Sequence, residues 1–233
     1  GFGSKTGIKI PREISGLIPN RDWKLKRTGE KWQKGETLSC VIGQSFVLST
    51  PLQLALSYAA IANEGSLYRP KLVKDIFSNS GEIISSNNTV LMSKLNISKK
   101  TLKIVKEAMR QVVNNRKGTA WWYKGEGIRM AGKTGTSQVR SMSSAELFSK
   151  CEEREYKSRH HAIFSAFAPY DNPKVAISVV VEHGCHGSSA AAPVARDVIT
   201  AYMDKYFPDL KKQYTLDDKK KYAKLKKVKV KIE

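Results

Sequence analysis

Residues 132–137 read Gly132-Lys133-Thr134-Gly135-Thr136-Ser137, and two apolar runs follow before a turn rich in His and Gly. A lysine supplies fixed positive charge, two threonine hydroxyls can hold a carboxylate, and glycines without a Cβ let a substrate backbone approach closely. On a β-strand, that combination points to one wall of an acyl-transfer site. The runs Ala162-Ile163-Phe164-Ser165-Ala166-Phe167-Ala168 and Val175 to Glu182 flank a Pro169-Tyr170-Asp171-Asn172-Pro173 turn and predict an antiparallel hairpin. Pro193 opens a final helix, predicted to reach about Tyr206 with Val194, Val198, Ile199, Ala201 and Tyr202 facing inward. The C-terminal half therefore reads strand, strand, strand, helix.

Upstream, Ser49-Thr50-Pro51 places an N-cap before a proline at the first helical position. Leu52, Leu54, Ala55, Leu56, Ala59, Ala60 and Ile61 then carry a helix to a stop near Gly65. Being apolar on most faces, it is expected to be buried. Lys71 to Ile76 predicts a short strand and Ser78 to Thr89 a polar loop. Ser98 to about Asn115 predicts a second helix with the stripe Leu102, Val105, Ala108, Met109, Val112 and Val113. Residues 1–37, with turn signals at Pro11, Gly16, Pro19 and Gly29, predict extended loop. Residues 140–159 mix basic and acidic side chains without periodicity, which predicts a flexible insertion.

The chain has 233 residues, a formal net charge of +20 and 40% hydrophobic residues, enough to bury a core. No apolar run approaches the roughly 18 residues of a membrane span. Ten lysines against Asp217, Asp218 and Glu233 crowd residues 211–233, read as part of a Lys-rich disordered tail. A second basic stretch surrounds Trp23 and Trp32. Such charge raises the question of nucleic acid or an anionic surface, but no nucleic-acid motif accompanies it. Cys40, Cys151 and Cys185 lie far apart without paired spacing and predict neither a disulfide framework nor a zinc knuckle. His183, Cys185 and His186 share one turn with no fourth ligand nearby, so neither a metal nor a cofactor is expected. Trp121, Trp122 and Tyr123 are read as core or cleft wall.

Gly43-Gln44, Ser49-Thr50-Pro51-Leu52-Gln53-Leu54-Ala55, Ala62-Asn63-Glu64-Gly65, Gly118-Thr119-Ala120, Gly132-Lys133-Thr134-Gly135-Thr136, Phe167-Ala168-Pro169-Tyr170 and Val181-Glu182-His183-Gly184 resemble successive landmarks of the penicillin-binding transpeptidase domain. The resemblance runs from Phe2 to about Phe207. The opening Lys5-Thr6-Gly7-Ile8 and the segment His183 to Ala195 are most similar to class B, elongation-type members of the penicillin-binding protein 2 kind. The resemblance implies an α/β chain, an α+β sandwich of antiparallel sheet covered by helices, serine transpeptidase/β-lactamase-like, with the N-terminal portion of the domain outside this chain. Residues 1–207 would be its C-terminal portion and 208–233 the tail. It further implies a peptidoglycan D,D-transpeptidase of cell wall synthesis and cell shape, on the periplasmic face of the bacterial inner membrane, with the membrane anchor missing from this chain. Stem peptides, β-lactam antibiotics and the cell-wall elongation machinery are the implied partners. By the same resemblance Lys133 shapes the proton and charge balance, while Thr134 and Thr136 hold the substrate carboxylate. The Thr136 N–H is an oxyanion donor, Gly132 and Gly135 give clearance, and Ser137 extends the binding wall.

The family's serine nucleophile lies in a Ser-x-x-Lys motif. No lysine here has a serine three residues before it. Ser-x-Asn occurs only as Ser85-Ser86-Asn87 and Ser86-Asn87-Asn88, read as incidental to a polar loop, and Lys5-Thr6-Gly7 is read as structural. In the family both missing motifs precede the equivalent of Phe2. The chain is therefore expected to begin just after them and to be inert toward penicillin alone. Ser45 and Cys185 stand where the family usually has glycine. The family's missing strands flank the equivalent of Val175 to Glu182, so an unpaired edge and poor solubility of the isolated chain are expected. Two other functions remain: a non-catalytic interaction module from a split or decayed gene, and a basic nucleic-acid binder with a steep salt dependence.

Overall fold

In the computed structural model, which describes residues 1–141 and 149–229 with side chains through Lys220, both apolar runs are strands of one sheet. The chain divides into two units, Gly1–Ser98 and Lys99–Glu233.

The first unit holds α1 (Arg21–Thr28), α2 (Lys34–Val41) and α3 (Pro51–Ala62), followed by β1 (Ser66–Tyr68), β2 (Asp75–Phe77), β3 (Ile83–Ser86) and β4 (Leu91–Lys94). Helix α3 starts as its sequence predicts. The Thr50 hydroxyl accepts the Gln53 N–H at 3.1 Å, and the Gln53 side-chain carbonyl accepts the Thr50 N–H at 2.9 Å. The buried Gln53 amide also donates to the carbonyls of Ser4 and Ser15, at 2.8 and 2.7 Å, which fastens the N-terminal segment. Residues 1–37 are not all loop. Asn20 caps α1 by accepting the Trp23 N–H at 2.8 Å, and Gly29, at φ 73°, ends it. Lys24 is buried and pairs with Glu36 at 2.6 Å and Glu30 at 3.5 Å. Its charge at an inward position hid the helical period. The stretch expected to be polar loop contains β3, which pairs with β2, while β4 pairs with β1. In the β2–β3 hairpin Ser86 donates to Asp75 at 2.6 Å. The first Lys-Thr-Gly triplet is a loop closed on Glu13, whose carboxylate accepts the Thr6 N–H at 2.6 Å and the Thr6 hydroxyl.

The second unit holds α4 (Lys99–Asn114), β5 (Ala131–Ser137), β6 (His161–Ala168), β7 (Val175–Val181), α5 (Ala192–Tyr206) and α6 (Pro208–Lys229). The three strands form an antiparallel sheet in the order β5-β6-β7, with Lys133 opposite Ser165 and Ser165 opposite Ser178. The architecture is the expected α+β arrangement. Alternate residues of β6 (Ala162, Phe164, Ala166 and Ala168) are fully buried and pack with Ala192, Ala195, Ile199 and Met203 of α5. Full burial of side chains the size of Phe164, Ile199 or Met203 stabilises by about 1.5–3 kcal/mol each. On the sheet's other face Ser165 is buried and donates to Ser178 at 2.9 Å.

Three further expectations need correction. Helix α5 turns Ala195, Ile199 and Met203 inward and leaves Val194 and Val198 about half exposed. Two stripes of similar polarity run along this helix, and its entry through the wide turn Gly187–Ala191 selects between them. Cys151 and Cys185, read as unpaired, form a disulfide across 34 residues, because β6 and β7 bring their distant flanks together. Residues 208–229, expected to be a disordered tail, form α6. Arg129 pairs with Asp218 at 3.1 Å and Asp217 at 3.8 Å, and its guanidinium lies 4.0 Å over the ring of buried Tyr214. The Tyr214 hydroxyl donates to Asp171 at 3.1 Å. Burial, reinforced by Asp171, pushes it up to about 12. Acids that seemed to dilute a basic tail are therefore its docking groups. Within 140–159, Cys151–Glu153 and Tyr156–Ser158 form short 3-10 turns, while residues 142–148 and 230–233 lie outside the described residues. Among the described residues no helix is long and apolar enough to cross a membrane.

Candidate active site

The Gly132–Ser137 motif occupies nearly all of β5, paired along one edge to β6. Pairing fixes which face each side chain takes: Gly132, Thr134 and Thr136 share the face of Ala166, Phe164 and Ala162, while Lys133, Gly135 and Ser137 share that of Ser165, Ile163 and His161. Lys133 and Thr136 are exposed, and Thr134, Gly135 and Ser137 half-buried.

Gly132 is buried, and the fold itself requires that it carry no side chain. A Cβ there would lie 2.7 Å from the Ser165 carbonyl oxygen and 2.8 Å from the Phe164 ring. Its absence lets β5 lie flat over that ring. Gly135 is approached from the chain itself, because Gly187, at the start of the wide turn before α5, comes so close that a Cβ on it would stand 2.6 Å from the Gly135 carbonyl oxygen and 2.2 Å from that of Ile163.

The Lys133 ammonium donates to the Thr134 carbonyl at 2.9 Å and lies 3.5 Å from the Thr134 hydroxyl. That hydroxyl is 3.1 Å from the hydroxyl of Thr119. Thr119 is not among the site residues the sequence predicts, although Gly118-Thr119-Ala120 is one of its motifs. The loop returns over the end of α4, where a Cβ on Gly118 would meet the Val112 carbonyl oxygen at 2.3 Å, and the Ala120 N–H donates to that same carbonyl at 3.1 Å. Those two constraints deliver the Thr119 hydroxyl to β5. A shallow depression of about 340 Å³ opens beside Thr119, bounded by Ala108, Gln111, Val112, Asn115, Lys117, Gly118, Thr119 and Lys133, with Thr134 and Thr136 outside its lining. Two lysines, a hydroxyl and two amides suit a carboxylate-bearing ligand.

The following 3-10 turn, Trp121–Tyr123, divides the three aromatics. Tyr123 packs against the core, Trp121 carries the Lys124 ammonium 3.6 Å over its ring, and Trp122 is 83% exposed. Beyond β5, the four histidines gather around the disulfide. His160 is buried with its Nε2 2.8 Å from Arg154, while the His183 ring meets that of His161 edge to face with centroids 4.8 Å apart, and the His183 backbone N–H donates to His161 Nδ1 at 3.0 Å. His186 lies 3.1 Å from Glu152. Burial, with Arg154 next, lowers the His160 pKa below its ordinary 6.5. No group of three or more His, Cys, Asp or Glu side chains suited to a metal ion occurs among the described residues.

The family description "Penicillin binding protein transpeptidase domain" matches residues 1–200. The peptidoglycan D,D-transpeptidase MrdA of Haemophilus influenzae is 37% identical over 215 residues, covering 91% of this chain and 32% of that protein. Among solved structures, penicillin-binding protein 2 of Pseudomonas aeruginosa in complex with WCK 5153 superposes with a TM-score of 0.70 at 36% identity, over 87% of this chain and 40% of that one. The complex of penicillin-binding protein 2 and MreC from Helicobacter pylori gives 0.70 at 34% identity, over 89% and 34%. The chain thus spans about a third of the length of the curated relative it matches.

Proposed function

The chain belongs to the penicillin-binding protein transpeptidase family, and from that premise we propose that it forms the Lys133–Thr136 wall of a peptidoglycan D,D-transpeptidase site. The observation that carries this reading is the Thr134 hydroxyl on β5, 3.1 Å from the hydroxyl of Thr119 and 3.5 Å from the Lys133 ammonium.

In this proposal residues 1–207 are the C-terminal portion of the transpeptidase domain, and the serine nucleophile comes from polypeptide outside this sequence. That serine attacks the D-alanyl-D-alanine carbonyl of a stem peptide, D-alanine leaves, and an amine of a neighbouring stem resolves the acyl-enzyme. Lys133 holds positive charge at the reacting end, and Thr134 and Thr136, with Ser137 beyond them, hold the terminal carboxylate. The Thr136 N–H is one oxyanion donor; removing such a donor typically lowers the rate by about 10²-fold or more. β-Lactams enter by the same acylation. The Cys151–Cys185 disulfide fits an oxidising compartment and supports the periplasmic face of the inner membrane. The elongation machinery is the proposed partner, on the likeness to the relative solved with MreC.

Labelling with fluorescent penicillin tests the proposal. The full-length protein carrying this segment should be labelled covalently and its Lys133→Ala variant should not, while the 233-residue chain alone should stay unlabelled. Labelling of the isolated chain would show that the nucleophile lies within it.

A further inference from the structure

We propose that the Cys151–Cys185 disulfide is a strap that positions the catalytic strand by holding Cys185 in the left-handed conformation, which acts through the backbone of residues 185–187 on Gly135 and Thr136. This rests on the transpeptidase reading of β5 given above.

The turn leaving β7 contains two non-glycine residues in the left-handed region, His183 at φ 56° and Cys185 at φ 61°. Side chains other than glycine resist that conformation, so a residue found there is held by something. At Cys185 two restraints are visible. Its N–H donates to the His160 carbonyl at 2.9 Å, and its sulfur is bonded to Cys151. Two residues on, Gly187 meets the strand so closely that a Cβ on it would lie 2.6 Å from the Gly135 carbonyl oxygen and 3.0 Å from the Gly135 nitrogen. No side chain intervenes to absorb a shift of the turn. Whatever fixes Cys185 therefore fixes the underside of Gly135, the residue just before the proposed oxyanion donor.

The far end of the strap is itself anchored. Arg154 donates to the Ser149 carbonyl at 3.1 Å and lies 2.8 Å from His160 Nε2; Arg159 donates to the carbonyls of Arg154 and Glu152 at 3.0 and 2.8 Å. Cys151 thus belongs to a folded bracket on the segment preceding β6. Both cysteines are buried, which suits a permanent strap better than an exchangeable thiol pair.

The test uses the full-length protein and three forms: wild type, Cys151→Ser with Cys185→Ser, and Cys151→Ser with Cys185→Gly. Serine cannot bond and still resists the left-handed conformation, whereas glycine adopts it freely. Penicillin acylation, resolved into encounter affinity and acylation rate constant, should slow by about 10-fold or more in the serine pair with encounter affinity unchanged, and should recover in the glycine form. Hydrogen exchange at the amides of residues 135–137 should show the same loss and recovery, while amides of β6 and β7 stay protected. The proposal is overturned if the serine pair keeps wild-type exchange at residues 135–137, or if the glycine form is as disturbed as the serine pair. Failure of wild type to acylate would count against the transpeptidase reading alone, because the exchange measurement decides the strap without it.

Discussion

Replacing Gly187 by alanine in the full-length protein isolates the contact between turn and strand. The added Cβ would fall 2.2 Å from the Ile163 carbonyl oxygen and 2.6 Å from that of Gly135. A relaxed carbon-to-oxygen contact needs about 3.3 Å, so turn and strand must part by roughly 1 Å. Both partners are backbone atoms of paired strands, which leaves no flexible side chain to yield. Gly187 is not among the residues with positive φ, so alanine brings no backbone strain of its own and the effect is purely steric. Overpacking of this kind typically destabilises by about 1–3 kcal/mol. A displacement near 1 Å at reacting groups lowers rates by up to about 10²-fold. Penicillin acylation followed over a concentration series should show the rate constant falling by about 10- to 10²-fold, with encounter affinity changed much less. Gly35→Ala serves as control, since a Cβ there meets nothing within 4 Å. Acylation of Gly187→Ala within about twofold of wild type would refute the claim that this turn sets the position of Gly135.

Thr119→Val removes the hydroxyl partner of Thr134 and should weaken penicillin's encounter affinity by roughly 2- to 10-fold, as expected for a net hydrogen bond of about 0.5–1.5 kcal/mol; an unchanged affinity would place Thr119 outside the site. Arg129→Ala leaves Asp171, Asp217 and Asp218 without their shared cation and should lower thermal stability by about 1–2 kcal/mol, these carboxylates being partly solvated. The lowered pKa of His160 means that the unfolded chain binds its proton more readily than the folded one. Its contribution is therefore fully present above about pH 6.5 and is lost as pH falls from there toward the folded pKa. Thermal midpoints between pH 7.5 and 5 should decline, and His160→Asn should flatten the decline. The outer edge of β7 has no strand partner among the described residues, so the isolated 233-residue chain should self-associate in sedimentation.

Period and punctuation made much of the second unit legible. The β6–β7 hairpin follows from two apolar runs about one Pro/Asp/Asn turn, and α4 from a single stripe whose Leu102, Met109 and Val113 are buried. Failures cluster where tertiary pairing reverses the local meaning of a residue. Lys24 looks like a surface charge until Glu36 and Glu30 close over it. Asp217 and Asp218 look like dilution of a basic tail until Arg129 is found between them and Asp171. Cys151 and Cys185 cannot be paired by spacing, since the distance along the chain says nothing about a sheet that brings their flanks together.

The same limit applies inside the candidate site, with more consequence. Lysine, threonine and glycine were readable as a functional motif because their chemistry is carried by residue type. The reason for each glycine was not. The motif assigns Gly132 and Gly135 to an incoming substrate, and the fold itself also needs Gly132, where a Cβ would meet the Phe164 ring and the Ser165 carbonyl, whereas a Cβ on Gly135 would meet only Ile163, at 3.3 Å. Clearance within the fold comes before clearance for a ligand, because a strand displaced by a clash presents no ordered wall at all. It follows that substitutions on the hidden side of β5, at Gly132 and Gly187, should impair acylation as strongly as substitutions of the exposed Thr136.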